Sequence, residues 1–200
     1  MKILGISGSL SRPSKTELAI RKALEFVSKQ EESVTTDLVS ISDYSLLFCD
    51  GRHPDLYDGD SRTVLDKIAE ADAYIVGSPI YRGTYSGAFK NLFDLIPNDS
   101  LKGKVVGIVA TGGSAHHYLA IEHQFKPLFG YFNAYTIPGG VYASNTHYTD
   151  GKLTDEDIIT RLNRLAEETV RLSARLNQTY KGPDQPKIER ESLQEAQTKN

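Results

Sequence analysis

Cysteine is nearly missing from this chain. Cys49 is the single one among 200 residues, so no internal disulfide can form. Neither a cysteine-ligated iron–sulfur cluster nor a cysteine-based zinc site can be built from it. A basic excess is missing too. The formal net charge is −3, which points away from nucleic acid and from electrostatic attraction to anionic membranes. No apolar run approaches the length of a membrane span. Residues 1–10 are too short a stretch, and too broken by glycine and serine, for a signal peptide. A soluble, cytoplasmic protein is the expectation. Histidine offers no cluster with ligand spacing. His116 and His117 are adjacent, and His123 follows His116 by seven positions, about 10 Å along a helix and too far for one ion. No metal is expected.

Hydrophobic residues, 39% of the chain, suffice to fill one core at this length. Short apolar runs alternate with longer helical patterns. The runs at 2–7, 34–41, 73–77, 104–110 and 134–143 read as strands. Ile75-Val76, Val105-Val106 and Ile108-Val109 suit strands buried on both faces, as in a parallel sheet. Helices are predicted at 16–29, 61–70, 86–96, 116–132 and 155–180. Phe89, Leu92, Phe93 and Ile96 form an i, i+3, i+4, i+7 stripe on the third, and Ile158, Leu162, Leu165, Thr169, Leu172 and Leu176 line the last. Strict β–α alternation implies an α/β fold, a doubly wound, five-stranded parallel sheet of flavodoxin-like order 2-1-3-4-5. One domain should span 1–180. The pattern stops at Gly182, and 181–200 reads as a polar tail, disordered or an arm onto a neighbour. The polar stretch 43–60 reads as a surface loop, with a lid as the less favoured alternative.

Three segments carry chemistry, each following a predicted strand. Gly8-Ser9-Leu10-Ser11-Arg12-Pro13-Ser14-Lys15-Thr16 opens a helix, where backbone N–H groups and the helix dipole favour an anion. Ser9, Ser14 and Thr16 add hydroxyls, and Arg12 and Lys15 add charge, which makes a phosphate cradle. It is neither a Walker A loop nor a dinucleotide glycine fingerprint. The second segment, residues 77–87, contains Pro79, Ile80, Tyr81 and Arg82. Its stiff apolar wall suits a flat aromatic ring, and Arg82 offsets negative charge on a reduced ring. The third, Thr111-Gly112-Gly113-Ser114, lets backbone donors approach a ligand closely. All three loops fall at carboxyl ends of strands, where open α/β sheets bind ligands. Together they describe an FMN-shaped site. Each also has a plainer reading: a capped turn, core packing of Tyr81 and Tyr85, or a tight turn.

The motifs Gly8-Ser9-x-Ser11-Arg12-x-Ser14-x-Thr16, Ser78-Pro79-Ile80-Tyr81-Arg82-x-x-Tyr85-Ser86-Gly87-Ala88-Phe89-Lys90, Leu92-Phe93-Asp94-Leu95-Ile96-Pro97 and Ala110-Thr111-Gly112-Gly113-Ser114 resemble those of the NADPH-dependent FMN reductase family. More narrowly, they resemble the flavin reductases that serve two-component, alkanesulfonate-type monooxygenases. The resemblance covers about residues 2–180. It implies FMN phosphate on Ser9, Arg12, Ser14, Lys15 and Thr16. It implies the flavin ring against Pro79, Ile80, Tyr81, Arg82, Thr111, Gly112, Gly113 and Ser114. Related quinone and chromate reductases usually carry Pro-Gly and Asp-Trp where this chain has Ser86-Gly87 and Asp94-Leu95, which shifts weight to the sulfonate-type enzymes. The expected reaction is hydride transfer from NADPH or NADH to FMN, with reduced flavin passed to a monooxygenase. No acid–base side chain is required for that step. Arg82 and Tyr85 are candidates for positioning. The alternatives are an FMN-retaining quinone or azo reductase and a flavodoxin-like electron carrier.

Two expectations attach to the helix after Ser114. It is apolar nearly all round, which with the resemblance implies a homo-oligomer, a tetramer. Pro127 cannot donate to the carbonyl of His123, so a kink or π-bulge should fall just before it. In the sulfonate-type reductases an extra residue, often tyrosine, makes such a bulge at a subunit interface. His123 stands at the matching place here.

Overall fold

The computed structural model describes residues 1–31, 33–176 and 182–183. The tail assigned to 181–200 lies outside the described residues except for Gly182 and Pro183, as does the end of the last predicted helix, 177–180.

The chain runs β1 (Lys2–Ser7), α1 (Lys15–Val27), β2 (Thr35–Ser40), α2 (Gly59–Glu70), β3 (Ala73–Tyr81), β4 (Thr84–Tyr85), α3 (Gly87–Leu95) and β5 (Val105–Gly112). A 3-10 turn (Ala115–His117), a π turn (Ile121–Phe125) and α4 (Lys126–Tyr131) follow. Then come β6 (Tyr135–Thr136), β7 (Val141–Ser144), β8 (Tyr148–Thr149), β9 (Lys152–Leu153) and α5 (Glu156–Leu176). The main sheet has the order β2-β1-β3-β5-β6, with β7 also parallel to β5 and β4 antiparallel to β3. With the short β4 set aside, and β6 and β7 taken as one interrupted strand, this is the predicted order 2-1-3-4-5. The fold is flavodoxin-like.

Each face of the sheet carries its own core. Leu4, Ile6, Tyr74, Val76, Val106 and Ile108 pack beneath α2, α3 and the segment 120–132. Ile3, Ile75, Val105 and Val109 pack beneath α1 and α5. Strands buried on both faces read as unbroken apolar runs, and this is why β3 and β5 were recognisable. Phe125 and Phe129 are fully buried, each contributing roughly 2–3 kcal/mol of burial.

Two predicted elements are interrupted. The run 134–143 is not one strand, because Pro138 lacks an N–H and Gly139 takes φ +72°. The span 116–132 is not one helix. Lys126 N donates to Ile121 O five residues back, which makes a π turn centred on His123, while His123 N still bonds Leu119 O at 3.0 Å. Pro127 stands two residues past its end and cannot donate to His123 O, so the irregularity falls where a missing N–H predicts it. The stretch 43–60 is a surface loop held by side chains. Asn91 accepts from Cys49 N and donates to Leu47 O, both at 2.9 Å, and Asp60 accepts from Ser45 N at 2.7 Å.

Candidate active site

Ser86 ties the first two loops together. Its N–H donates to Ser78 Oγ (2.9 Å), its hydroxyl donates to Gly8 O (2.6 Å), and the same oxygen caps α3 by accepting from Phe89 N (3.1 Å). Proline at this place would supply neither donor. Gly8 is required by the same contact, since a Cβ there would lie 2.4 Å from the Phe89 ring. In the cradle, Ser14 is the N-cap of α1 and accepts from Glu17 N at 3.1 Å. Ser9 Oγ accepts from Ser11 N at 3.2 Å, and the buried hydroxyls of Thr16 and Thr111 share a 2.7 Å bond that joins the first and third loops. Burial pushes the Glu17 carboxyl up, but bonds from Ser40 and Arg21 outweigh it and hold the group below its ordinary range.

One cleft of about 270 Å³ opens over the carboxyl ends of β1, β3 and β5. Ser9, Lys15 and Thr16 line it from the cradle, Pro79, Ile80 and Tyr81 from the last residues of β3, which runs four residues past the predicted end at 77, and Thr111, Gly112 and Gly113 from the end of β5 and the turn after it. Ser11, Pro13 and Asn145 line it as well. Four of the predicted FMN contacts, Arg12, Ser14, Arg82 and Ser114, and the positioning candidate Tyr85 do not line it. Arg12 turns to Ser42 O and the Asp43 carboxylate, both at 2.6 Å, and lines a neighbouring groove with Ser14. Arg82 sits exposed at the tip of the β3–β4 hairpin with φ +54°. Ser114 stands at the rim, its carbonyl accepting from Tyr142 Oη at 2.5 Å and its hydroxyl beside His116 Nδ1 at 3.0 Å. Tyr85 packs edge-on against Phe125 (5.4 Å between centroids) and near Phe89 (5.6 Å), a core contact rather than a site contact.

Asn145 escaped the sequence reading. The β5–β7 register pairs Gly112 with Ser144, so the next residue arrives beside Gly113. Its Oδ1 accepts from Lys15 Nζ at 2.8 Å. The β8–β9 hairpin, which follows at once, also went unseen, although Asp150-Gly151 at its tip is a strong hairpin signal.

The donor set fits a flavin mononucleotide: hydroxyls, a lysine and a helix start at one end, a flat apolar wall at the other, and a glycine pair between. A model of the NADPH-dependent FMN reductase family matches residues 1–149. The chain belongs to that family. An "NAD(P)H-dependent FAD/FMN reductase" of Geobacillus thermodenitrificans is 40% identical over 173 residues, 86% of this chain and 93% of that protein. The "NADH-dependent FMN reductase SfnF" of Pseudomonas putida is 35% identical over 84% of this chain and 90% of its own length. Among solved structures, "NADH:FMN oxidoreductase (EMOB)" in its apo form superposes with a TM-score of 0.72 at 25% identity, covering 87% of this chain and 89% of that one. An oxidoreductase from Corynebacterium diphtheriae shares the fold with a TM-score of 0.73 at 24% identity, over 87% of this chain and 97% of that one. Family membership makes this chain an NAD(P)H:FMN oxidoreductase, with FMN and a reduced nicotinamide as its reactants. Among the described residues, no helix is long and apolar enough to cross a membrane.

Proposed function

We propose that this reductase treats FMN as a dissociable substrate, reduces it with NADH or NADPH, and releases it to a flavin-dependent monooxygenase in the cytoplasm. The observation that carries the reading is the cleft itself. At about 270 Å³ it is small and open, just under the usual range of ligand sites, roughly 300–1,000 Å³. Such a site grips an anionic end and one ring face without enclosing the rest. In this reading Ser9, Ser11, Lys15 and Thr16 hold the phosphate. Pro79 and Tyr81 present a stiff apolar face, with the side chain of Ile80 packed in the core behind them, and Tyr81 remains 52% exposed, which suits a second flat ring docking there. Thr111, Gly112 and Gly113 offer backbone N–H groups to the ring edge. FMN, when bound, supplies the two-electron acceptor. The protein's part is alignment, and no side chain is assigned as acid or base. Ser14 serves as cap, and Arg12 and Arg82 act on the approach rather than in the cleft.

The same proposal includes self-association. The segment 115–132 buries Ile121, Phe125, Phe129 and Phe132 but leaves Tyr118, Leu119 and Tyr131 about half exposed, an outer apolar strip suited to a tetramer interface. Steady-state NAD(P)H oxidation, run with and without added FMN, tests the function. Added FMN should stimulate turnover, and flavin should be lost on gel filtration, with micromolar affinity of roughly −8 kcal/mol. Flavin that survives gel filtration, with no stimulation by added FMN, overturns the reading in favour of a flavin-retaining quinone or azo reductase. Tight flavin with no NAD(P)H oxidation points instead to an electron carrier.

A further inference from the structure

The two cations that the cradle motif supplies are held in opposite ways. Arg12 meets a carboxylate, Asp43, at 2.6 Å, so its charge is compensated. Lys15 meets a neutral amide oxygen, Asn145 Oδ1, at 2.8 Å. Its ammonium also lies 5.2 Å from the centre of the Tyr148 ring, whose phenol donates to the Lys15 carbonyl at 3.0 Å. Neither partner removes charge. Lys15 is moreover the first residue of α1, where a cation opposes the positive end of the helix dipole unless an anion binds beside it. The turn that delivers Asn145 is built for its place. Ser144 N donates to His147 Nδ1 at 3.1 Å, and the hydroxyls of Ser144 and Thr146 lie 2.7 Å apart. Asn145 Nδ2 is 3.8 Å from where a Cβ on Gly113 would stand, so this amide spans the distance between cradle and glycine loop.

We propose that Asn145 is a specificity-determining positioning residue, which fixes Lys15 at the cleft without neutralising it and so lets the enzyme select phosphorylated flavin over riboflavin by charge. The proposal rests on the assignment of the cradle as the phosphate site. An amide oxygen occupies one of the three ammonium protons and leaves two for an anion. A carboxylate in the same position would cancel the charge of Lys15 and set a second negative group beside the phosphate. Asn145→Asp keeps the shape and puts a negative carboxylate where the neutral amide stands.

The experiment compares FMN and riboflavin affinities, by flavin fluorescence titration, for the wild type, Asn145→Asp, Asn145→Ala and Lys15→Met. Asn145→Asp should weaken FMN binding by roughly ten- to a hundredfold and leave riboflavin within about twofold. Asn145→Ala should fall between, because Lys15 keeps its charge but loses its anchor. If Asn145→Asp and Asn145→Ala keep the wild-type FMN-to-riboflavin ratio while Lys15→Met lowers it, the proposal is overturned and the cradle stands. If Asn145→Asp weakens both flavins equally, the residue is structural and the proposal again fails. An unchanged ratio in Lys15→Met would overturn the cradle assignment itself.

Discussion

Replacing Gly112 by alanine is expected to damage the glycine loop, while the same change at Gly113 is expected to be tolerated. A Cβ on Gly112 would lie 2.1 Å from Tyr142 Oη and 3.1 Å from its Cζ. Non-bonded carbon and oxygen come no closer than about 3.3 Å, so the phenol oxygen would have to retreat by about 1 Å. Tyr142 is only 4% exposed, so a retreat must displace its neighbours, and its hydroxyl is committed to Ser114 O at 2.5 Å. The loss of that bond is worth about 0.5–1.5 kcal/mol, and overpacking adds about 1–3 kcal/mol. Gly112→Ala should therefore cost about 2–4 kcal/mol, a large part of a typical stability of roughly 5–15 kcal/mol. At Gly113 the nearest atom to the new methyl group is Asn145 Nδ2 at 3.8 Å, an ordinary contact. Gly113→Ala should stay within about 0.5 kcal/mol of wild type. Tyr142→Phe alone should cost about 1 kcal/mol through its lost hydrogen bond. Combined with Gly112→Ala it should relieve most of the clash, so the double variant costs less than the two singles together. Urea denaturation measures all four proteins. Gly112→Ala at wild-type stability, or strict additivity in the double variant, would refute the steric reasoning.

Deleting His123 should straighten the π turn and rotate the chain after it by about 100°, tightening FMN binding and suppressing turnover of free flavin; a folded deletion variant with unchanged affinity and turnover would sink this. Light scattering at micromolar concentration should give an oligomeric mass that falls in Leu119→Glu, and a monomeric wild type would refute the interface. The Asp37–Lys67 pair, 2.6 Å apart, predicts a pH dependence. Burial would raise Asp37, but bonds from Lys67 and Leu38 N outweigh it and hold the carboxyl below its usual value of 3.8, while Asp37 holds the Lys67 ammonium above its usual 10.5. The carboxylate's share of stability is thus present above pH 3.8 and lost as pH falls through the lowered value; the ammonium's share is present below 10.5 and lost as pH rises through the raised one. Asp37→Asn should cost at most about 1 kcal/mol at neutral pH, a gap that closes in acid, and a gap that widens in acid would contradict the assignment.

β1, β2, β3 and β5 and the three ligand-facing segments are legible because their signals are local. β1 occupies the predicted residues 2–7, and each loop follows a run that is apolar on both faces. The interruptions were partly legible. Pro127 marks the π turn, and Pro138-Gly139 is an equally local mark of the break between β6 and β7. What could not be seen was register. Nothing in the neighbourhood of Asn145 announces a site residue; it reaches the cleft because Gly112 pairs with Ser144 across the sheet. The orientation of Arg12 depends likewise on Asp43, 31 positions away, and the left-handed Arg82-Gly83 tip hid a hairpin behind an unusual turn residue.

The β3–β4 hairpin that carries Tyr81 does not stand alone. Thr84 Oγ1 and Gln124 Oε1 meet at 3.2 Å, and Tyr85 rests edge-on against Phe125, so the seat of the hairpin is the π turn some 40 positions downstream. The wall of the cleft is therefore encoded in two pieces. Exchanging residues 77–87 between relatives would transplant a ribbon without its seat, and a segment-swapped enzyme would keep its wall only if 121–125 travelled with it. For anyone recombining these reductases, the unit of inheritance is the pair of segments, not the loop that touches the ligand.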